Sequence, residues 1–318
     1  MRRAVSAIAA TIAALAFSAS AQASSPVRVL AGMGAGGAPD LYARVIADHM
    51  ATTLKRPMIV ENKPGAGGNL AAQIVLDAPA DGRTLWLGSA AQTEINPSVY
   101  SKLKWTVDDF IPLIKGVQAP LVLVTHPSVP AKNLEALVAW MRANKGKLGY
   151  ASYNPGTPSH FLGYLLNERF GLDLAHVPYR GSGQQTKDLV AGHVLLGFSQ
   201  VQTTLPHVRS GALNAIATTG TSRTRFMPDV PTFAELGQPE FTATIWFGLM
   251  VRAGTPPDAL AKLLSAAKAA HGAPEIRQKL ESQGFEVSGQ TGPEVTAGIK
   301  AQIKKWARIV AATGFKAD

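Results

Sequence analysis

Short β-branched runs alternate with helical spacing through most of the chain, and this alternation limits the fold more than any other feature. Strand-like runs fall at residues 27–30, 58–60, 85–88, 121–125, 148–152, 176–179, 194–198 and 215–218, each ended by small residues. Between them Leu41, Val45, Ile46, Met50 and Leu54 share one helical face, as do Leu134, Leu137, Val138 and Met141 behind an Asn133 cap. A last helix is expected over residues 293–313, with Val295, Ile299, Ile303, Trp306 and Val310 on one face and Gly314 ending it. Strands alternating with helices predict parallel α/β sheets. Two such series occur, one on each side of about His126, and helices close the chain after Trp246. Those last helices need a sheet to cover, so the chain is expected to cross into a second lobe near residues 125–127 and return near 244–248. The expected lobes are residues 24–126 plus 246–318 and residues 127–245, with a cleft between them.

Residues 1–23 read differently. Arg2 and Arg3 precede an apolar stretch over residues 4–17, and Ala21 and Ala23 flank Gln22, the pattern of a secretory signal peptide cleaved between Ala23 and Ser24. A run of about 14 apolar residues is too short to span a bilayer. The paired arginines abut the apolar run directly, which favours general secretion over the twin-arginine route. The expected location is the periplasm, where cytosolic NAD, ATP and nucleic acid are absent. Lys plus Arg number 31 against 21 Asp plus Glu, a formal charge of +10 that becomes +8 once Arg2 and Arg3 leave with the signal. The basic residues are scattered with no run longer than two, so nucleic acid is not an expected partner. The chain has no Cys, which removes disulfides, thiolate metal sites, iron–sulfur clusters and cysteine nucleophiles. Its seven His lack metal-ligand spacing, and no metal or cofactor is expected.

In parallel α/β sheets, ligands bind beyond the carboxyl ends of the strands. After the first expected strand comes GMGAGGAPD (residues 32–40), after the second KPGAGGN (63–69) and after the third SAAQT (89–93). The second lobe adds SYNPGTPSH (152–160), RGSG (180–183) and Ser199 with Gln200. Glycines let a ligand approach the backbone, and helix N-termini offer unpaired N–H groups and positive dipole ends. Several such ends facing one cleft make an anion site.

Gly32, Gly34 and Gly37 also have the spacing of a dinucleotide fingerprint, with Glu61 where a ribose-binding acid would stand. Export, Pro39 and Asp40 in the first helical turn, and a second glycine loop that the fingerprint does not require count against it. Asp40 reads instead as a helix-start acid that accepts hydrogen bonds from loop amides. No Gly-x-Ser-x-Gly, His-Glu-x-x-His or phosphate-loop motif is present. His160 lies in the first turn of a helix behind Thr157 as N-cap and Pro158, and its reading divides between ligand contact and helix-start hydrogen bonding.

Further stretches, taken in order, are residues 34–44 (GAGGAPDLYAR), 60–71 (VENKPGAGGNLA), 150–160 (YASYNPGTPSH), 177–183 (VPYRGSG), 215–239 (AIATTGTSRTRFMPDVPTFAELGQP) and 256–260 (PPDAL). Together they resemble the periplasmic solute-binding proteins of tripartite tricarboxylate transporters, the Bug or TctC-like family, over essentially the whole mature chain. The resemblance implies a two-lobed type II periplasmic-binding-protein fold, each lobe a central sheet flanked by helices, that closes on a carboxylate. It implies that the two glycine loops of the first lobe, with ordered waters, grip one carboxylate through Ala35, Gly36, Gly37, Asp40, Gly67, Gly68 and Asn69. Ser89 joins them at the third strand end. Specificity is implied for Ser152, Tyr153, Thr157, His160, Arg180, Ser199 and Gln200 of the second lobe.

Members suited to amino acids or amides often carry Asp-Asn after the phenylalanine matching Phe198, where this chain has Ser199 and Gln200. Without that carboxylate a second ligand carboxylate can approach. Tyr153 and Asn154 stand where glycines are usual, and Tyr153 with Trp246 and Phe247 would wall a flat aromatic ligand, unless Trp246 belongs to the hinge core. The expected protein is a monomeric, non-enzymatic receptor that hands a small carboxylate to the integral membrane permease subunits of a tripartite transporter. A dicarboxylate comes first, either aromatic such as terephthalate or aliphatic with roughly four to six carbons, and citrate-like tricarboxylates next. The alternatives are an exported enzyme on the same scaffold and a ligand-sensing protein that signals to a membrane sensor.

Overall fold

The computed structural model describes residues 25–317, so the signal-peptide segment and its cleavage point lie outside the described residues. In chain order the first elements are β1 (Val27–Ala31), α1 (Ala38–Leu54), β2 (Met58–Asn62), α2 (Asn69–Asp77), β3 (Thr84–Ser89), α3 (Asn96–Val99) and β4 (Phe110–Thr125). Then follow α4 (Leu134–Ala143), β5 (Gly149–Ser152), α5 (Pro158–Phe170), β6 (Ala175–Pro178), α6 (Ser182–Val190), β7 (Leu196–Gln200), α7 (Val201–Arg209) and β8 (Asn214–Thr218). The chain closes with β9 (Thr244–Arg252), α8 (Pro257–Gly272), α9 (Pro274–Ser282), β10 (Glu286–Gln290) and α10 (Pro293–Thr313). Local signals that need no distant partner set several of these bounds. Asn133 Oδ1 accepts the Ala136 N–H at 2.8 Å to start α4, and Gly314, left-handed at φ 64°, ends α10.

The strands lie in the order β2-β1-β3-β9-β4-β7-β5-β6, with β8 and β10 both pairing to β4. β1 is parallel to β2 and β3, and β5 is parallel to β6 and β7. Within each series the strands are parallel as expected, and the strands that join the two series are antiparallel. β9 runs antiparallel to β3 and β4, and β4 antiparallel to β7 and β8, because a chain that passes to a second sheet and returns must run one way out and the other way back. Helices alone do not follow Trp246, since β9 continues to Arg252 and β10 adds a further strand beside β4.

β4 is much longer than the run at 121–125 suggested. Pro112 and Pro120 argue against a central strand, and the ladder absorbs the irregularity by register shifts between Pro112 and Ile114 and between Lys115 and Val117. β4 pairs with β9 as far as Pro120 opposite Thr244, then with β7 from Leu121 opposite Gln200. One strand therefore changes sheets at Pro120–Leu121, ahead of the division expected after His126. The return lies at Ala243–Thr244, where the Ala243 N–H still donates to Thr219 O of the second series. These directions aim the carboxyl ends of β1, β2 and β3 toward the second sheet and those of β5, β6 and β7 back toward the first.

Each sheet is covered on both faces, following the two-residue alternation of side chains. Val29, Leu85 and Leu87 pack with Tyr42, Ile46 and Met50 of α1 in the main core, while Leu30 and Trp86 face the other way, with Val75 of α2 and Ile299 of α10. In the second sheet Leu123 and Phe198 join Leu137 and Phe161 in the main core, and Val122 and Val124 meet Leu189 and Val201 on the far face. Among the described residues, no helix is long and apolar enough to cross a membrane.

Candidate functional site

The loop between β1 and α1 is held from beneath by Asp40. Its Oδ2 accepts the Gly36 N–H and the Arg44 Nε–H, each at 3.0 Å, and its Oδ1 accepts the Asn62 amide at 2.9 Å. Burial opposes ionisation of Asp40, but the hydrogen bonds from Arg44, Gly36 and Asn62 outweigh it and keep the carboxyl below its ordinary value. Both oxygens are thus spent on the loop and its flanking helix and strand, as a helix-start acid would spend them. Ala35, Gly36 and Gly37 are exposed above it. Gly37 heads α1 without any side-chain cap, and with Pro39 next in the first turn the N–H groups of Ala38 and Asp40 are left unclaimed by a cap.

The loop after β2 turns through Gly65, Ala66, Gly67 and Gly68, all at positive φ. Gly68 caps α2, again with no side-chain hydrogen bond. Asn96 ties this loop down: its amide donates to Asn69 Oδ1 at 2.7 Å and to Gly67 O at 3.1 Å. At the third strand end the Ser89 hydroxyl donates to Gln92 Oε1 at 3.1 Å. The Gln92 amide nitrogen lies buried against the other two loops: a Cβ on Gly68 would stand 1.8 Å from it, and one on Gly32 2.5 Å.

Facing these, the second lobe presents Ser152, whose hydroxyl lies 2.7 Å from His176 Nε2. Thr157 occupies the N-cap position of α5 as expected, yet its hydroxyl donates to Asn154 O at 2.6 Å instead of capping the helix. His160 makes a helix-start hydrogen bond. Its Nδ1 accepts the Gly156 N–H at 3.2 Å, which fixes the neutral tautomer protonated at Nε2. Its ring stacks on His176 at 4.0 Å and meets the edge of Phe315 at 5.0 Å. Burial, with His176 beside it, pushes its pKa down to about 4, and burial lowers His176 as well. Tyr153 is buried in the main core, its backbone N–H donating to Ser159 Oγ. α6 starts at Gly181 with no side-chain cap, and the neighbouring Arg180 is exposed. Ser199 is fully buried with no partner for its hydroxyl, and Gln200 is half-buried with its carbonyl accepting the Thr203 and Thr204 hydroxyls.

Trp246 stands apart from this set. It packs in the core cluster of Trp86 and Ile299, whereas Phe247, next along β9 and so on the opposite face, packs in the main core against Phe285. The two cannot wall one ligand together with Tyr153. The Trp246 indole N–H instead donates to Glu94 Oε1 at 2.6 Å, and the Trp306 N–H faces the same carboxylate outside hydrogen-bond geometry. Burial pushes Glu94 up to about 7 against that donation and the charges of Lys115 and Lys305. Lys305, brought down to about 8 by burial, donates to Thr242 O beside the return crossing. A cavity of about 260 Å3 opens beside Glu94, Lys115, Trp246 and Trp306.

Gln92, Glu94, Asn96 and His176 brace these loops or the return crossing, and sequence reasoning passed them over. Gln92 stood within the third loop, but nothing local marks it as the residue wedged between two distant glycines.

A family model described as "Tripartite tricarboxylate transporter family receptor" matches residues 42–315. The protein BugT of Bordetella pertussis is 34% identical over 298 residues, covering 92% of this chain and 90% of BugT. MatC from Rhodopseudomonas palustris, solved with bound malate, is 32% identical at a TM-score of 0.77, covering 90% of this chain and 98% of that one. An R. palustris protein solved with adipate is 27% identical at a TM-score of 0.80, covering 92% and 98%. The expected two-lobed α/β architecture is the one these structures share, and the chain belongs to the tripartite tricarboxylate transporter family of receptors.

Proposed function

We propose that this protein is a periplasmic solute-binding receptor that closes two lobes on a small dicarboxylate and delivers it, as a monomer and without covalent chemistry, to the permease subunits of a tripartite transporter. One observation carries this reading. Four helices begin at the facing strand ends, α1 and α2 in one lobe and α5 and α6 in the other, three of them directly behind a glycine and none with a side chain bonded across its first N–H groups. Such termini favour an anion through both hydrogen bonds and dipole. Sites of this kind in each lobe suit a ligand with a carboxylate at each end, with exposed Arg180 available to the second one. The lobes would turn about Pro120–Leu121 and Ala243–Thr244, where the pairing changes.

Relatives solved with malate and adipate support an aliphatic dicarboxylate of about four to six carbons. An aromatic one such as terephthalate is less favoured, because Trp246 and Phe247 are committed to separate cores. Among the described residues two Ser–His pairs stand at 2.7 Å, Ser152 with His176 and Ser128 with His126, and in neither does a carboxylate hydrogen-bond the imidazole as a catalytic triad would, so binding is preferred to catalysis.

Gly37→Asp tests the grip. Gly37 has ordinary backbone angles at the N-cap (φ −83°, ψ 171°) and room for a side chain, so Asp there caps α1 while placing a carboxylate where the ligand's belongs. The expected result is an unchanged or raised melting temperature with loss of the thermal shift given by malate and adipate. Undiminished affinity would remove the first-lobe grip. A wild-type protein stabilised by amino acids or sugars but by no dicarboxylate would remove the ligand class.

A further inference from the structure

Gln92 is 2% exposed, and its amide nitrogen has no hydrogen-bond partner. The orientation of the amide follows from Ser89, whose Oγ receives the Gln92 backbone N–H at 3.4 Å and gives its own proton to Oε1 at 3.1 Å. Nε2 is thereby turned to the place where the two glycine loops converge, against Gly32 and Gly68. Because both are glycines, only backbone lies between this donor and the loops. A buried N–H without an acceptor is costly, and native proteins seldom keep one without a use for it. Resting on the carboxylate-binding reading above, we infer that Gln92 is the side-chain donor of the first-lobe subsite, paired when a ligand carboxylate and the water it orders reach the junction of the loops.

The second lobe holds a counterpart. Ser199, at the carboxyl end of β7 and beside the register that pairs Ser152 with Phe198, is fully buried, and its hydroxyl also lacks a partner. One unmet donor on each of two facing strand ends calls for a ligand with an acceptor at each end. That requirement selects dicarboxylates over monocarboxylates by a means separate from Arg180.

An unmet donor has a thermodynamic signature that a structural wedge does not. Gln92→Met keeps the length and bulk of the side chain while removing both N–H groups. Because Met also takes away the Oε1 that accepts the Ser89 hydroxyl, the ligand-free variant should melt close to the wild-type temperature, whereas its affinity for adipate, measured by calorimetry on the purified protein, should fall about tenfold to a hundredfold. Gln92→Glu, which keeps the acceptor for Ser89 but replaces the donors with a charge, is the second variant and should weaken adipate at least about tenfold at neutral pH. Ser199→Ala should weaken adipate while leaving a monocarboxylate such as hexanoate unaffected.

A ligand-free Gln92→Met protein that melts several degrees lower, with adipate affinity within twofold of wild type, would make Gln92 a spacer and overturn the inference alone. Retained affinity in Gln92→Glu would do the same. A wild-type protein that binds amino acids or sugars but no dicarboxylate would overturn the carboxylate reading, and this inference with it.

Discussion

Glu94→Gln removes one ionisable group from the hinge while keeping an acceptor for the Trp246 indole. Glu94 is 5% exposed, and burial raises its carboxyl from 4.5 to about 7. In the unfolded chain the same group titrates near its ordinary value, so between those two pH values the folded protein holds a proton that the unfolded chain has released. Stability contributed by this group is therefore complete below about pH 4.5, falls as pH rises, and levels off above about pH 7. At about 1.4 kcal/mol per pH unit the loss approaches roughly 3 kcal/mol.

Gln carries no such dependence. The variant should match the wild type within about 1 kcal/mol near pH 4.5 and exceed it by up to roughly 3 kcal/mol near pH 7. Urea unfolding across that range, fitted with a common slope, measures the difference. Taking the difference removes the opposite-signed contribution of His160 and His176, whose lowered pKa values make stability fall in acid. Keeping below about pH 7.5 limits interference from Lys305, which titrates near 8 and feels Glu94. A difference that does not change with pH, or a variant that loses ground as pH rises, would refute the reasoning. It would mean that Lys115 and Lys305 hold Glu94 ionised throughout.

Two further outcomes are expected. Gly68→Ala places a Cβ 1.8 Å from Gln92 Nε2 on a backbone at φ 92°, and strain plus overpacking should cost about 3 kcal/mol in urea unfolding; a loss under about 0.5 kcal/mol would mean that Gln92 does not pack where the loops converge. Arg180→Gln should leave the ligand-free melting temperature unchanged, because the side chain is exposed, yet weaken adipate about tenfold in calorimetry; equal affinity would take Arg180 out of the site.

What could be read from residue order follows short-range rules. The spacing of Val295, Ile299, Trp306 and Val310 marked the buried face of α10, and Gly314 marked its end, because helical period and left-handed glycine caps are decided within a few residues. The glycine loops likewise announced strand ends that turn into helix starts, and Asp40 announced itself as a helix-start acid. Choices that depend on partners distant in the chain were hidden. β4 runs through two prolines because β9 lies beside it on one side of Pro120 and β7 on the other, and neither neighbour can be inferred from residues 110–125. Trp246 could be read as a ligand wall or as hinge core until the face of β9 it occupies placed it against Glu94, 152 residues away in sequence. Burial and hydrogen-bond pairing are properties of the assembled chain. Local chemistry could name the glycine loops at the strand ends, and packing alone assigned which of their side chains hold the loops, which bind to the hinge, and which, Gln92 and Ser199 among them, keep a polar group unmet.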